Sequence, residues 1–179
     1  MRIEIEGLDD FRNAGDANKA RAAISSALNK TARATRAEAQ RQIRARYTVK
    51  SALIRKRSFL KKSTKNTLKA SVWFGGDPIG SQYFQIGQNR RAAWARIKKG
   101  SRVVFDRAFK WKNAAGRMML LQRKTSAGNS KLRDPVRDVE RPSVAKMAMD
   151  GYGAIRRATD AALARNMRAE FDYRFRARR

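Results

Sequence analysis

The chain has 179 residues, of which 43 are lysine or arginine and 15 are aspartate or glutamate, giving a formal net charge of +28. It contains no cysteine and no histidine, which excludes a disulfide framework and thiolate zinc sites and removes the usual general base. So strong a positive balance favours nucleic acid, an anionic membrane or an acidic protein as the partner. The length fits one domain, expected over residues 1–179.

The first predicted elements are a short strand and a long helix. Residues 1–8 alternate apolar and charged side chains, which predicts a strand with one buried face. Asp16 is a candidate N-cap, and no proline or glycine lies between Gly15 and Gly75, so a helix is expected over residues 17–46. Small and medium side chains form a seam along it: Ala20, Ile24, Ala27, Leu28, Thr31 and Thr35. We expect another helix or a neighbouring subunit to approach along this seam, with Ile24 and Leu28 as the subunit contacts.

The central feature of the chain is the segment 41–62, which carries nine cations and no acid. The carboxylates stop at Glu38 and resume only at Asp77. Self-repulsion across so dense a run lowers stability, so we expect an anionic partner to contact it. Apolar residues recur near helical spacing between 43 and 54, which predicts an amphipathic connector with a short helix at 49–57. The candidate contacts in this segment are Arg41, Arg44, Arg46, Lys50, Arg55, Lys56, Arg57, Lys61 and Lys62.

The middle of the chain predicts an antiparallel sheet of four or five strands. Strands are expected at 67–74, with Leu68, Ala70, Val72 and Phe74 on one face, and at 82–86. Segments 103–111 and 117–123 predict a hairpin with a five-residue loop at 112–116, and 131–139 is expected to be extended.

Residues 88–102 follow neither a strand nor a helix pattern, which predicts a mobile basic loop. Its Trp94 either anchors the loop or stacks on a nucleobase. Further candidate contacts with an anionic partner lie in this loop: Arg90, Arg91, Arg96, Lys98 and Lys99.

The last element is a second long helix, predicted after Pro142 over residues 143–175. Gly151 and Gly153 each weaken a helix by about 1 kcal/mol relative to alanine and predict a kink. Residues 174–179 form a basic arm expected to order against a partner. The predicted fold class is therefore α+β: a long N-terminal helix, an antiparallel sheet of four or five strands and a long C-terminal helix.

The acidic residues form no catalytic pattern. Asp9 and Asp10 are interpreted as a solvated approach to the first helix rather than a metal pair, and Asp134 and Asp138 as partners of nearby arginines. The glycine pairs lack the spacing of a phosphate-binding loop. We therefore expect neither catalysis nor a cofactor or metal. No motif for sequence-specific base reading is visible either.

Two stretches carry a family resemblance. The first is residues 27–64, in which an alanine-rich helix runs into a Val-centred basic segment, ALNKTARATRAEAQRQIRARYTVKSALIRKRSFLKKST. The second has Ala108 and Phe109 at the end of one strand, a glycine-containing turn, and a strand ending in Gln122 and Arg123. Together they resemble phage minor tail protein Z, a family of tail completion proteins, over about residues 20–165. The chain departs from that family in its acidic N-terminal stretch and its Phe/Arg-rich end.

That resemblance implies a structural virion protein at the head-proximal end of a phage tail, assembled in the host cytoplasm. It would help to complete the tail, join it to the head and position the genome end. The resemblance also implies a homo-oligomeric, hexameric ring that contacts tail terminator, tail tube or neck proteins, with the DNA backbone as a further partner.

A second interpretation follows from the charge alone. A non-specific nucleic-acid-binding structural protein, of the ribosomal or nucleoid type, would carry the same positive excess and bind with a strong salt dependence. A membrane partner is not expected, since no window approaches the roughly 18 apolar residues that a span needs.

Overall fold

The computed structural model describes residues 2–6, 17–90, 92–123, 136–139 and 141–176. The helices are α1 (Ala17–Arg46), α2 (Ser51–Lys56), α3 (Val144–Met149) and α4 (Tyr152–Arg176), with a short 3-10 turn at Ser81–Tyr83. The strands are β1 (Arg2–Glu6), β2 (Ser58–Lys61), β3 (Lys69–Phe74), β4 (Gln85–Gln88), β5 (Ala92–Arg96), β6 (Val103–Asp106), β7 (Ala108–Lys112), β8 (Met118–Arg123) and β9 (Val136–Asp138). This content confirms the α+β class, with a long helix towards each end of the chain.

The predicted seam of α1 is confirmed, and α4 of the same chain fills it. Ala20, Ala27, Thr31 and Thr35 are all buried along α1. Contacts pair Thr35 with Thr159 at 2.9 Å, Thr31 with Asn166 at 3.0 Å and Lys30 with Glu170 at 2.5 Å. The partner's number rises as the α1 number falls, so the two helices run antiparallel.

The expected subunit contacts on this seam are wrong. Ile24 and Leu28 are 2% and 0% exposed within the single chain and belong to its hydrophobic core. Small residues on α1 allow a helix to approach closely, but the helix that does so is α4. Neither side chain is therefore available to a neighbouring subunit.

The hydrophobic core lies between α1, the strand β3 and the C-terminal helices. On β3 the predicted face is confirmed for Ala70, Val72 and Phe74, which are buried. Leu68 precedes the strand and is partly buried, as is Trp73 on the opposite face. The core cluster also includes residues of α1, α2, β5, β8, α3 and α4: Ile43, Ile54, Ala93, Ala95, Leu120, Val144, Met147 and Ile155. The basic segment is thus anchored on its apolar side by Ile43 and Ile54.

The strands form three antiparallel sheets of three strands each, rather than one sheet of four or five. Their orders are β1-β3-β2, β4-β5-β6 and β7-β8-β9. In the first sheet Ile3 pairs with Val72 and Leu60 pairs with the same residue from the other side. The predicted N-terminal strand is confirmed, whereas β2 lies in a part of the basic segment for which no strand was predicted.

The single strand predicted over 103–111 is wrong, because the chain turns at Arg107. That residue has φ 56°, in the left-handed region that non-glycine residues seldom adopt. The turn separates β6 from β7, which belong to different sheets. The predicted hairpin is confirmed by β7 and β8, which pair Phe109 with Leu121 and Trp111 with Met119 around residues 113–117. The strand expected at 82–86 begins later, since the 3-10 turn occupies Ser81–Tyr83.

The prediction of a loop over 88–102 is also wrong. Residues Ala92–Arg96 form β5, the central strand of the second sheet, with Ala93 and Ala95 fully buried. Trp94 pairs with Gly87 of β4, and a Cβ placed on Gly87 would lie 2.2 Å from the Trp94 ring. Glycine is therefore required there by the close approach of the indole.

The C-terminal helix is interrupted where the glycines predict a kink. α3 ends at Met149 and α4 begins at Tyr152, with Asp150 and Gly151 between them. Ser143 caps α3 by accepting a hydrogen bond from the Lys146 amide at 3.1 Å. Gly151 packs so closely on α1 that an added Cβ would lie 3.1 Å from Gln42 Cβ. The interruption thus brings Asp150 to the C-terminal end of α1.

Several predictions fall outside the described residues: those on Asp9 and Asp10, on the N-cap Asp16, on Arg91, on the extended stretch before Val136 with Asp134, and on residues 177–179 of the basic arm. The first three residues of that predicted arm, 174–176, belong to α4. Of the acid–arginine pairs expected around Pro135, Asp138 with Arg141 is present as an ion pair.

Candidate anion-binding surface

Most of the predicted cationic contacts are solvent-exposed. Arg57 and Arg96 are partly buried, and Arg91 lies outside the described residues. The exposed members are Arg41, Arg44, Arg46, Lys50, Arg55, Lys56, Lys61, Lys62, Arg90, Lys98 and Lys99. The protein surface therefore presents these charges to solvent rather than burying them.

Few of these cations are neutralised by the chain's own acids. Arg41 pairs with Glu38 at 2.5 Å and Arg57 with Asp77 at 2.9 Å. Within the described part of the chain, no carboxylate pairs with five others: Lys50, Arg55, Lys56, Lys61 and Lys62. The result is a run of unpaired positive charge along α2 and β2.

Arg36, a partly buried arginine of α1 that was not among the predicted contacts, holds this run in place. Arg36 of α1 donates from Nε to Ser58 Oγ at 2.9 Å and from Nη2 to the carbonyl oxygens of Arg55 and Ser58, at 2.9 and 3.0 Å. These bonds fix the turn between α2 and β2 against α1, which leaves the side chains of Arg55 and Lys56 facing solvent. No local pattern could identify Arg36, since its partners lie about twenty residues away.

A second cationic cluster forms where the end of α1 meets the chain that follows β5. The Thr48 amide donates to the Ile97 carbonyl at 3.1 Å, and the Lys99 amide donates to the Arg46 carbonyl at 2.9 Å. The Thr48 hydroxyl adds a bond of 2.6 Å to the Arg96 carbonyl. Arg46, Lys98 and Lys99, distant in sequence, are thereby held next to one another.

These residues line a shallow groove of about 590 Å³, which we call the α1-end groove; its walls are Ala45, Arg46, Tyr47, Lys98, Lys99 and Asp150. Arg46 Nη1 donates to the Asp150 carbonyl, and the Tyr47 hydroxyl donates to Asp150 Oδ2. Lys98 Nζ lies 5.9 Å from the centre of the Tyr47 ring. Three cations thus share the groove with one carboxylate.

The tyrosine in this groove remains a neutral donor. Burial, followed by the hydrogen bond and charge of Asp150, raises the pKa of Tyr47 to about 12. Its hydroxyl therefore stays protonated at physiological pH and keeps Asp150 Oδ2 in place. Asp150 lies more than one hundred residues from Tyr47 in sequence, so local spacing gave no sign of this contact.

Trp94 is held by its own chain. Its partly buried ring lies against Gly87, and the Arg102 guanidinium sits 4.6 Å from its centre. These contacts support an anchoring role, although the element that it anchors is a strand.

Metal-ligand clusters and membrane-spanning helices are both absent from the described residues. No group of three or more carboxylates that could hold a metal ion occurs among them, and none of the described helices has the length and apolarity needed to cross a bilayer. Comparison with protein-family models, with curated proteins and with solved structures gives no match.

Proposed function

We propose that this protein is a non-enzymatic structural component of a phage tail, acting at the head-proximal end by docking its basic surface on an anionic partner. The observation that carries the proposal is the run of exposed cations on α2 and β2 with no carboxylate among the described residues pairing with them. The resemblance of residues 27–64 and 108–123 to tail completion proteins supports the assignment to a tail.

The geometry suits a docking role because the cations lie on supported elements. Arg36 fixes the α2–β2 turn, and Ile54 anchors α2 in the core. Side chains on such a support lose less conformational freedom on binding than those on a mobile arm. A partner with dense negative charge would also relieve the self-repulsion of the unpaired cations.

A ring of copies, as the resemblance implies, would need contacts other than Ile24 and Leu28. Exposed apolar side chains are present elsewhere, notably Val104 at 60% and Trp111 at 46% exposure. Tail terminator, tail tube or neck proteins would then meet the basic surface.

The deciding experiment is the protein content and assembly of virions. We expect the protein in purified particles, and we expect particles made without its gene to accumulate heads and tails that are not joined. Complementation with Arg55→Gln/Lys56→Gln should fail to restore joining, whereas the charge-matched control Arg165→Gln/Arg168→Gln, on exposed positions of α4, should restore it. Absence from purified virions, or co-purification with ribosomes or host nucleoid instead, would overturn the proposal.

A further inference from the structure

The α1-end groove gathers cations from separate segments of the chain into one concave site. We propose that it binds a phosphodiester group of a DNA backbone. The inference rests on the proposed function for the presence of genome DNA beside the protein, and it names the partner that this part of the surface takes.

The groove is assembled from three separate segments of the chain. Arg46 comes from the end of α1, Lys98 and Lys99 from the connection after β5, and Asp150 from the break between α3 and α4. Main-chain hydrogen bonds of Thr48 and Lys99 lock the first two segments together, and Arg46 and Tyr47 bind the third through Asp150. The positions of the charges are therefore set by the fold before any ligand arrives.

The donors that remain in the groove match a phosphate. Arg46 is exposed and has five N–H donors, of which Nη1 bonds to the Asp150 carbonyl, so the other N–H groups remain available to a ligand. Lys98 and Lys99 are exposed, and no described carboxylate pairs with them. Lysine acts on phosphate as a compact point charge, and arginine adds directed hydrogen bonds.

The composition of the groove favours nucleic acid over an acidic protein. Protein interfaces have apolar cores from which lysine is depleted, whereas protein–DNA interfaces are more polar and far more positive. The groove wall holds two lysines and one arginine, and its large ring, Tyr47, is only 2% exposed. The exposed apolar side chains Val104 and Trp111 are not part of it.

Cations beyond the groove offer further contacts to the phosphates that follow along the DNA backbone. Lys50, exposed and directly before α2, follows Arg46 by four residues, so their Cα atoms are at most about 15 Å apart. Arg55 and Lys56 follow on α2. A regularly charged chain fits such a succession of sites better than an isolated phosphate ion does.

Replacing Asp150 should raise the affinity for DNA, whereas replacing the lysines should lower it. Its carboxylate lies in the groove and opposes a bound phosphate, while its bonds to Tyr47 and Arg46 require only an acceptor oxygen and a carbonyl. Asp150→Asn removes the charge, keeps the length of the side chain and keeps an oxygen that can accept from the Tyr47 hydroxyl. Removing one charge at about 6 Å in water changes the binding energy enough for roughly a threefold gain in affinity.

The experiment measures binding of the purified full chain to a short duplex DNA of arbitrary sequence across a salt series. Each phosphate contact contributes about 0.9 to the magnitude of the slope of log affinity against log salt. Taking about 1 M salt as the reference at which the contact contributes nothing, one contact raises the affinity roughly eightfold at about 0.1 M salt. We expect Lys98→Gln/Lys99→Gln to weaken binding by about 60-fold and to lower the slope by about 1.8. The control Arg165→Gln/Arg168→Gln should leave both values unchanged, and Asp150→Asn should bind more tightly. Thermal melting of each variant shows whether it is folded.

Three results would overturn the inference. The first is equal loss of DNA binding in the α4 control, which would mean a diffuse charge effect. The second is polyglutamate binding with the same dependence on Lys98 and Lys99, which would point to an acidic protein. The third is inorganic phosphate saturating the groove without competing with DNA. A failure here leaves the presence of the protein in virions untouched, and absence from virions leaves the DNA measurement untouched, so the two proposals are tested separately.

Discussion

The contact of Glu170 with Lys30 gives the sharpest test of how α1 and α4 are held together. Glu170 is only 5% exposed, and its carboxylate lies 2.5 Å from Lys30 Nζ and 3.5 Å from Arg174 Nε. Burial acts to raise the pKa of Glu170, but hydrogen bonds from Lys30 and Ser26 and the charges of Lys30 and Arg174 outweigh it, so the pKa is lowered. The ionised carboxylate therefore stabilises the fold.

Two substitutions should differ in their effect because they leave different groups behind. Glu170→Gln leaves Lys30 able to reach water, since its side chain is 55% exposed, and we expect a loss of about 1–2 kcal/mol. Lys30→Met leaves a buried carboxylate with Arg174 as the remaining ion-pair partner, and we expect a larger loss of about 2–3 kcal/mol. Urea unfolding of both variants at neutral pH measures the difference.

The pH dependence provides the refutation. A carboxyl whose pKa is lower in the folded than in the unfolded state adds stability above the unfolded pKa, and that stability disappears as pH falls through the folded pKa. The stability difference between the native chain and Glu170→Gln should thus be constant near neutral pH and shrink below about pH 4.3. A difference that stays the same in acid, or a smaller loss in Lys30→Met than in Glu170→Gln, would refute the assignment of a stabilising buried charge.

Three further predictions concern the core, the second sheet and the net charge. Leu28→Ala should lower the free energy of unfolding by about 2–5 kcal/mol at every protein concentration, against less than about 0.5 for the exposed Val104→Ala; a loss seen only as dissociation of an oligomer would contradict packing within the chain. Gly87→Ala should lose about 1–3 kcal/mol in urea unfolding because its Cβ meets the Trp94 ring, while Gly76→Ala, with open space around it, should be close to neutral; equal effects would disprove the close approach. Raising NaCl from about 0.01 to 0.1 M shortens the screening length from about 30 to 10 Å and should raise the melting temperature; a fall would mean that local ion pairs outweigh the repulsion of a +28 chain.

The helices and the β7–β8 hairpin were predictable because their signals are local. The α1 seam repeats at helical spacing, the buried face of β3 alternates, and the hairpin strands flank a five-residue loop. The break before α4 falls at Gly151, one of the two glycines whose low helix propensity predicts it. In each case the residues that determine the element lie within it.

The strands that escaped prediction have weak or masked patterns. β5 buries Ala93 and Ala95, whose small side chains contribute little to an apolar alternation, although both are completely inaccessible. β2 is four residues long and lies between the basic residues at 55–57 and at 61–62, so the charge of the segment obscured its apolar residues. The separation of β6 from β7 depends on the positive φ of Arg107, and arginine is not a residue type that indicates a positive φ. Hydrophobic periodicity does not detect small buried side chains, a short strand within a basic segment, or a positive φ at a non-glycine residue.

The candidate site was predictable in its members but not in its arrangement. Charge density alone identified Arg46, Lys98 and Lys99, yet placed the lysines in a mobile loop. Their meeting depends on main-chain hydrogen bonds between residues about fifty apart, and on Asp150, which is more distant still. Contacts of that kind are set by topology, so no spacing within the chain could indicate them.

The use of the described carboxylates explains why the surplus charge collects where it does. Four of them lie at junctions of the fold: Asp77 at a turn, Asp138 before a helix, Asp150 at a helix break and Glu170 in a helix seam. Each of these four is bound to another group of the chain, so using it to neutralise the cations of α2 would give up that contact. A chain kept soluble by charge alone would gain more from interleaving both signs over its surface. Acids committed to the fold and cations left unpaired on rigid elements are what a protein needs when the compensating charge is supplied by a partner.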